Sequence, residues 1–176
     1  GYDLSRYSTR IKVIYKPYEW LSIKPNLSGS RTTDKDRQYS VGAMYSMLPW
    51  DNPYDENGNP VPNYYSGWVN TKATNYLNDL AAGNYSSSCS YDLSGGFDFD
   101  VKITPWLTFS SVNNYSYYNS QTHGYTDPKS SGGEGVDGRI TEYNYNATRR
   151  YTNRLLRFQK SWGKHNVNGL VAYEFN

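Results

Sequence analysis

The chain has 176 residues, 17% of them aromatic with 20 tyrosines, a single cysteine and a formal net charge of +2. The near-balance of charge removes the basic patch that a nucleic-acid binder needs, the aromatic content does not suit a solvated disordered tail, and a lone Cys89 excludes a disulfide scaffold. No run approaches the about 18 apolar residues of a membrane-crossing helix, so a helical membrane protein is excluded as well.

The first predicted strand, about Tyr7 to Tyr15, sets Tyr7, Thr9, Ile11, Val13 and Tyr15 on one face and Arg6, Ser8, Arg10 and Lys12 on the other. A turn about Pro17, which has no amide hydrogen to give a ladder, leads to a second strand, about Trp20 to Thr32. There Leu21, Ile23 and Leu27 oppose Ser22, Lys24, Asn26 and Ser28. A long polar loop over 33–90 follows. Its stretch from Asp51 to Pro60 is dense in turn-forming residues, and Ala73, Tyr76, Leu77 and Leu80 share one side of a predicted short helix over 70–82. Asp55, Asn57 and Asn59 imitate the opening of a calcium loop. Pro60 stands where that loop needs glycine and Ser66 where it needs glutamate, which argues against a metal.

The third strand alternates without a break: Tyr91, Leu93, Gly95, Phe97, Phe99, Val101 and Ile103 against Asp92, Ser94, Gly96, Asp98, Asp100, Lys102 and Thr104. A turn at Pro105-Trp106 opens a fourth strand, about Trp106 to Ser120, with Leu107, Phe109, Tyr115 and Tyr117 on one face. The second loop, 121–147, contains Ser130-Ser131-Gly132-Gly133-Glu134-Gly135, a composition that predicts mobility. A fifth strand, about Thr148 to Lys160, places Arg154 on the side of Leu156 and Phe158. Arg154 is therefore expected near an outer rim or on a bulge. A sixth strand from Val167 returns to clean alternation through Val171, Tyr173 and Phe175.

Short turns at one end of the hairpins, long loops at the other and a tryptophan at each short turn form the pattern of a transmembrane β-barrel. The expected fold is all-β: an antiparallel barrel wall of about six strands in three hairpins, with short periplasmic turns and long extracellular loops, part of a larger barrel. Trp20, Trp106 and Trp162 would form an aromatic girdle at the headgroup level. Arg6, Arg10, Lys12, Asp98, Asp100 and Lys102 would face the lumen. Trp50, Tyr54, Tyr64, Tyr65 and Trp68 are the loop candidates for contact with substrate or a partner, the plainer reading being packing of the loop on itself. A soluble carbohydrate-binding β-sandwich would instead bury the Tyr91–Ile103 face, and a non-energised porin would share the wall. His123 and His165 have no nucleophile or ligand cluster beside them in sequence and read as surface residues. No catalytic constellation is present, and neither an enzymatic activity nor a cofactor is expected. Nor does the chain show a basic stretch followed by an apolar segment and a cleavage site, so the expectation is a piece of a longer exported chain, cut at both ends.

Three segments carry a family resemblance: Ser46 to Val61 (Ser-Met-Leu-Pro-Trp-Asp-Asn-Pro-Tyr-Asp-Glu-Asn-Gly-Asn-Pro-Val), the turn Pro105-Trp106-Leu107-Thr108-Phe109, and Ser161 to Phe175 (Ser-Trp-Gly-Lys-His-Asn-Val-Asn-Gly-Leu-Val-Ala-Tyr-Glu-Phe). Together they resemble the SusC/RagA family of TonB-dependent outer-membrane transporters from Bacteroidetes. The resemblance implies a barrel of about 22 strands plugged by an amino-terminal domain. It further implies a SusD-like surface lipoprotein over the extracellular mouth, import of oligosaccharides or peptides, and energy delivered by TonB through the plug. Residues 1–176 would then be part of the barrel domain in the bacterial outer membrane, without the plug.

Overall fold

A computed structural model describes residues 3–36, 41–63, 65, 67–70 and 73–176. The chain is all-β, and the described strands form one antiparallel sheet that does not close on itself. Its elements are β1 (Asp3–Lys12), β2 (Tyr15–Tyr18), β3 (Leu21–Lys35), α1 (Val41–Tyr45), α2 (Tyr76–Ala81), β4 (Tyr85–Thr104), β5 (Leu107–Thr126), β6 (Arg139–Trp162) and β7 (His165–Phe175). The strands pair in the order β1-β3-β4-β5-β6-β7, and β2 also pairs with β3.

The first hairpin departs from the expected one. Its turn lies at Glu19-Trp20, not at Pro17, and the strand before it is broken into β1 and β2. Prolines on both partners account for this. Val13 donates its amide to the carbonyl of Pro25, which has no N–H to return. Pro17 sits inside β2, where the register with β3 slips between the pairs Tyr15↔Ile23 and Tyr18↔Leu21, the irregularity in which a strand tolerates proline. The other tight turns, Pro105-Trp106 and Gly163-Lys164, fall where expected.

Both loops are shorter than their sequence suggests. β3 runs to Lys35 and β4 begins at Tyr85; β5 runs to Thr126 and β6 begins at Arg139. His123 consequently lies in β5 and not in a loop, with ring nitrogens against Glu142 and, at 2.8 Å, the Tyr85 hydroxyl. The predicted helix is a single short turn of chain, α2, capped by Asn75; Thr71 and Lys72 of the predicted segment lie outside the described residues.

The described chain forms two compact units. One is a sheet unit of Arg6–Arg31, Ser90–Asn119 and Tyr145–Asn176, and the other is a loop-bearing unit built mainly from Thr32–Cys89 and Ser120–Asn144. In the sheet unit the pleat separates two chemistries. Phe97 and Phe99 meet at 6.2 Å and Phe99 meets Phe109 at 6.0 Å on one face, while Lys24 and Ser110 reach Asp100 on the other. The apolar face is uncovered: Leu93 is 53% exposed, Phe97 51% and Ile103 55%. Among the described residues no second layer buries it, as a sandwich would require.

The ladder of β6 and β7 keeps one register from Thr152↔Phe175 to Trp162↔His165, with Arg154 opposite Tyr173 and Leu156 opposite Val171. On the β7 side, therefore, no bulge falls at Arg154. The arginine shares the apolar face with Leu156 and Phe158.

Candidate functional site

On the polar face, Lys24 Nζ lies 2.6 Å from Asp100 Oδ2 and the Ser110 hydroxyl donates to Asp100 Oδ1 at 2.6 Å. Lys16, Glu19, Trp20, Ser22, Lys102 and Arg157 border the same hollow. A second hollow is lined by Arg6, Ser8, Arg10, Ser28, Ser30 and Asp92. Asp98 accepts the Asn113 amide at 3.2 Å, and Lys12 stands exposed on β1. Of the expected lumen charges, Arg6 and Arg10 thus line one hollow and Asp100 and Lys102 the other, while Lys12 and Asp98 line neither. The Lys24–Asp100 pair is about one-third exposed at each end, 36% and 33%, so water screens it. A double-mutant cycle of Lys24→Met and Asp100→Asn is expected to return a coupling of about 0.2–1 kcal/mol, read from urea unfolding of the folded protein. A coupling several times larger would mean that the pair is shut off from water.

The three turn tryptophans make different contacts. Trp20 stacks flat on Tyr18, with centroids 5.4 Å apart at 5°, beside the polar-face hollow. Trp106 instead meets Phe158 edge-on at 5.3 Å, and Phe158 meets Trp162 at 6.1 Å. Lys160 Nζ lies 5.0 Å over the Trp106 ring and 4.9 Å over that of Trp162. Trp20 sits at an even position of the first turn, and the alternation of β3 sends even positions to the polar face.

The loop-bearing unit is organised by buried polar side chains. Asp51, 6% exposed, accepts the amides of Leu48 at 2.9 Å, Val69 at 2.9 Å and Asn70 at 3.0 Å. Asn75, 1% exposed, donates to the carbonyls of Pro53 and Val61, both at 2.8 Å, while its oxygen caps α2 at the Leu77 amide. Trp68 is buried with Val61 and Ala73, its indole N–H shared between the carbonyls of Asn70 and Ala73. Of the loop aromatics, Trp68 therefore packs on its own loop and offers no face to a substrate. Trp50 and Tyr54 are exposed, Tyr65 is half-buried, and Tyr64 lies outside the described residues. Asp55 closes a small hairpin by accepting the Asn57 and Asn59 amides at 2.9 and 2.8 Å. The Asn59 side-chain amide, followed by its backbone amide, holds the Asp55 carboxyl below the ordinary range despite some desolvation. Among the described residues, no cluster of three His, Cys, Asp or Glu side chains is placed to hold a metal ion.

The second loop, whose glycines suggest mobility, is tied to side chains of the first. Asn78 donates to the Lys129 carbonyl at 2.9 Å, Asp79 accepts the Ser131 amide at 2.7 Å and also its hydroxyl, and Asn84 accepts the Asp127 amide at 2.7 Å. Ser130 is fully buried. A Cβ on Gly133 would lie 2.0 Å from the Asp127 carbonyl oxygen, so glycine serves close backbone approach here and not looseness.

Asp51 gives this unit a pH dependence. Burial pushes its carboxyl up, but the three amide bonds outweigh that and leave it below its ordinary 3.8. A lowered folded value means a stabilisation complete above the unfolded value and lost as the pH falls through the folded one. Protection of the Leu48, Val69 and Asn70 amides in hydrogen exchange is expected to hold from neutrality down to about pH 4 and to collapse below it. Asp51→Asn should flatten that response.

A single antiparallel sheet with one apolar and one polar face, tight turns at one set of strand ends and folded loops from the other, has the architecture of a stretch of barrel wall. No protein-family model matches the chain, and no curated protein matches it in sequence. Solved structures share its fold. A structure of the RagAB peptide transporter superposes with a TM-score of 0.73 at 21% identity, covering 97% of this chain and 20% of that chain. The RagAB peptide importer in its closed-closed and open-open states gives 0.74 and 0.72, again at 21% identity and over the same shares. The chain thus shares the fold of part of these chains and spans 20% of their length.

Proposed function

We propose that the chain is part of the barrel wall of an outer-membrane active transporter, TonB-dependent and SusC-like, that imports oligosaccharides or peptides. The observation that carries this reading is an uncovered aromatic face, with Phe97 51% exposed, backed by a polar face of ion pairs and hydroxyls in a sheet whose fold matches a peptide transporter. The apolar face would meet hydrocarbon and the polar one the aqueous lumen. The loops would lie outside the cell, where Trp50 and Tyr54 are available to substrate or to a SusD-like lipoprotein, and TonB would act through a plug elsewhere in the protein. Peptides are the cargo to test first, since the structural neighbours are peptide transporters. Arg154 fits this frame. It lies eight residues from Trp162 along an unbroken ladder, roughly 26 Å of strand at about 3.3 Å per residue and about 20 Å of height at a tilt of about 40°, close to the top of an apolar band about 25 Å tall.

The test places a fluorophore on a cysteine at position 97 or at position 98 of the full-length protein in membranes, with Cys89 replaced by serine. Brominated lipid should quench the label at 97 and leave that at 98 to aqueous iodide. Equal access of iodide to both would overturn the wall assignment. Uptake of labelled oligopeptides that stops on loss of TonB tests the transport assignment separately.

A further inference from the structure

The wall reading leaves Lys160 unexplained. It stands on the apolar face of β6, two residues before the last residue of that strand, and among the described residues no carboxylate pairs with it. Its ammonium is instead held between two indole faces from different hairpin turns, at 5.0 Å from Trp106 and 4.9 Å from Trp162. Phe158 supports the arrangement from beneath, edge-on to Trp106 at 5.3 Å. Two aromatic faces on one cation attract it through their quadrupoles but leave its charge uncompensated. In water this would matter little. At the border of a hydrocarbon band, an unpaired ammonium either snorkels into the aqueous phase or finds an anion.

We propose that Lys160, Trp106 and Trp162 form a binding site for the phosphodiester of a membrane phospholipid at the turn-side border of the bilayer. The proposal rests on the wall reading and adds to it a specific ligand. The rings hold the ammonium at the depth where headgroup phosphates lie, and the phosphate supplies the missing negative charge. Phe158 and Leu156, next along the apolar face of β6, run beneath it as a surface for the acyl chains. The site is local to this pair of turns. Trp20, stacked on Tyr18 by the polar hollow, has no part in it.

The experiment uses the full-length protein purified in detergent, with lipid retention read by native mass spectrometry. The probes are dioleoyl phosphatidylglycerol and dioleoylglycerol, which share acyl chains and differ in the phosphate, together with inorganic phosphate alone. Wild type should keep phosphatidylglycerol under conditions that strip dioleoylglycerol and should ignore inorganic phosphate. Lys160→Gln should retain about tenfold less phosphatidylglycerol, the loss of one charge-assisted contact, and Lys160→Arg should retain it. A photoreactive phosphatidylglycerol should crosslink wild type within the peptides that carry Trp106 or Lys160 and Trp162, a readout that needs no variant to fold. Equal retention by Lys160→Gln, or crosslinks only elsewhere, overturns the proposal. If brominated lipid still quenches a label at position 97 in that event, the wall reading stands and only the phospholipid site falls; if that quenching is absent too, both fall.

Discussion

Phe97→Arg is expected to lower the stability of the membrane-inserted protein by about 2–4 kcal/mol, the cost of an arginine facing lipid at mid-depth in a barrel wall. Phe97 is the position that tests this most sharply. It stands on the apolar face of β4 midway between Ile103, near the Pro105-Trp106 turn, and Tyr91, and among the described residues its ring meets one other aromatic, Phe99. Truncation of a well-packed core residue is therefore a minor part of the effect, and transfer of a guanidinium out of water is the major part. The neighbouring polar-face change Asp98→Asn keeps an acceptor for the Asn113 amide and should stay within about 0.5 kcal/mol of wild type. Urea titration of folding into lipid vesicles measures both. A penalty for Phe97→Arg no larger than that for Asp98→Asn would place this face in water.

Asn75→Ala should be the most damaging single change in the loop-bearing unit, at about 2–4 kcal/mol of local stability. The α2 cap accounts for about 1 kcal/mol, and two buried carbonyls, those of Pro53 and Val61, lose their donor at about 1 kcal/mol or more each. Asn75→Asp separates these contributions. Aspartate caps a helix as well as asparagine does, but it has no amide to donate and would set a carboxylate against both carbonyl oxygens. It should be at least as disruptive as alanine. Hydrogen exchange at Val61, Leu77 and Asn78 reads the outcome, with protection lost in both variants. Retained protection in Asn75→Asp would show that capping alone holds the loop.

The alternation from Tyr91 to Ile103 was legible because the two faces of β4 carry different chemistries. The same strand from Tyr85 to Ser90 was not, because Ser86, Ser87, Ser88 and Ser90 put the same hydroxyl on both faces while the ladder continues unchanged. The ends of β5 and β6 escaped for the same reason, in tyrosine, threonine and asparagine. Proline at 17 read as a turn because it cannot donate; its place within β2 depended on a register slip that only pairing reveals. Within the loops, the short helix was legible from its apolar side but the role of Asn75 was not, because the carbonyls it holds lie 22 and 14 residues back in the chain. Trp68 read either as a contact surface or as part of a loop packed on itself, and its sequence did not decide between them. Its burial is decided by carbonyls two and five residues ahead that close around the indole. The pairing of Lys160 with two tryptophans required the turns of separate hairpins to be neighbours, which no local pattern encodes.

The grip of Asn78, Asp79 and Asn84 on residues 127 to 131 makes the two excursions one mechanical part. Transplanting the larger excursion alone into a related scaffold would leave Asp79 without the serine it holds and the Asn84 side-chain oxygen without the Asp127 amide. Chimeras of this protein should therefore exchange both segments as a matched set, and a protease that nicks one of them should release no fragment until those bonds also give way.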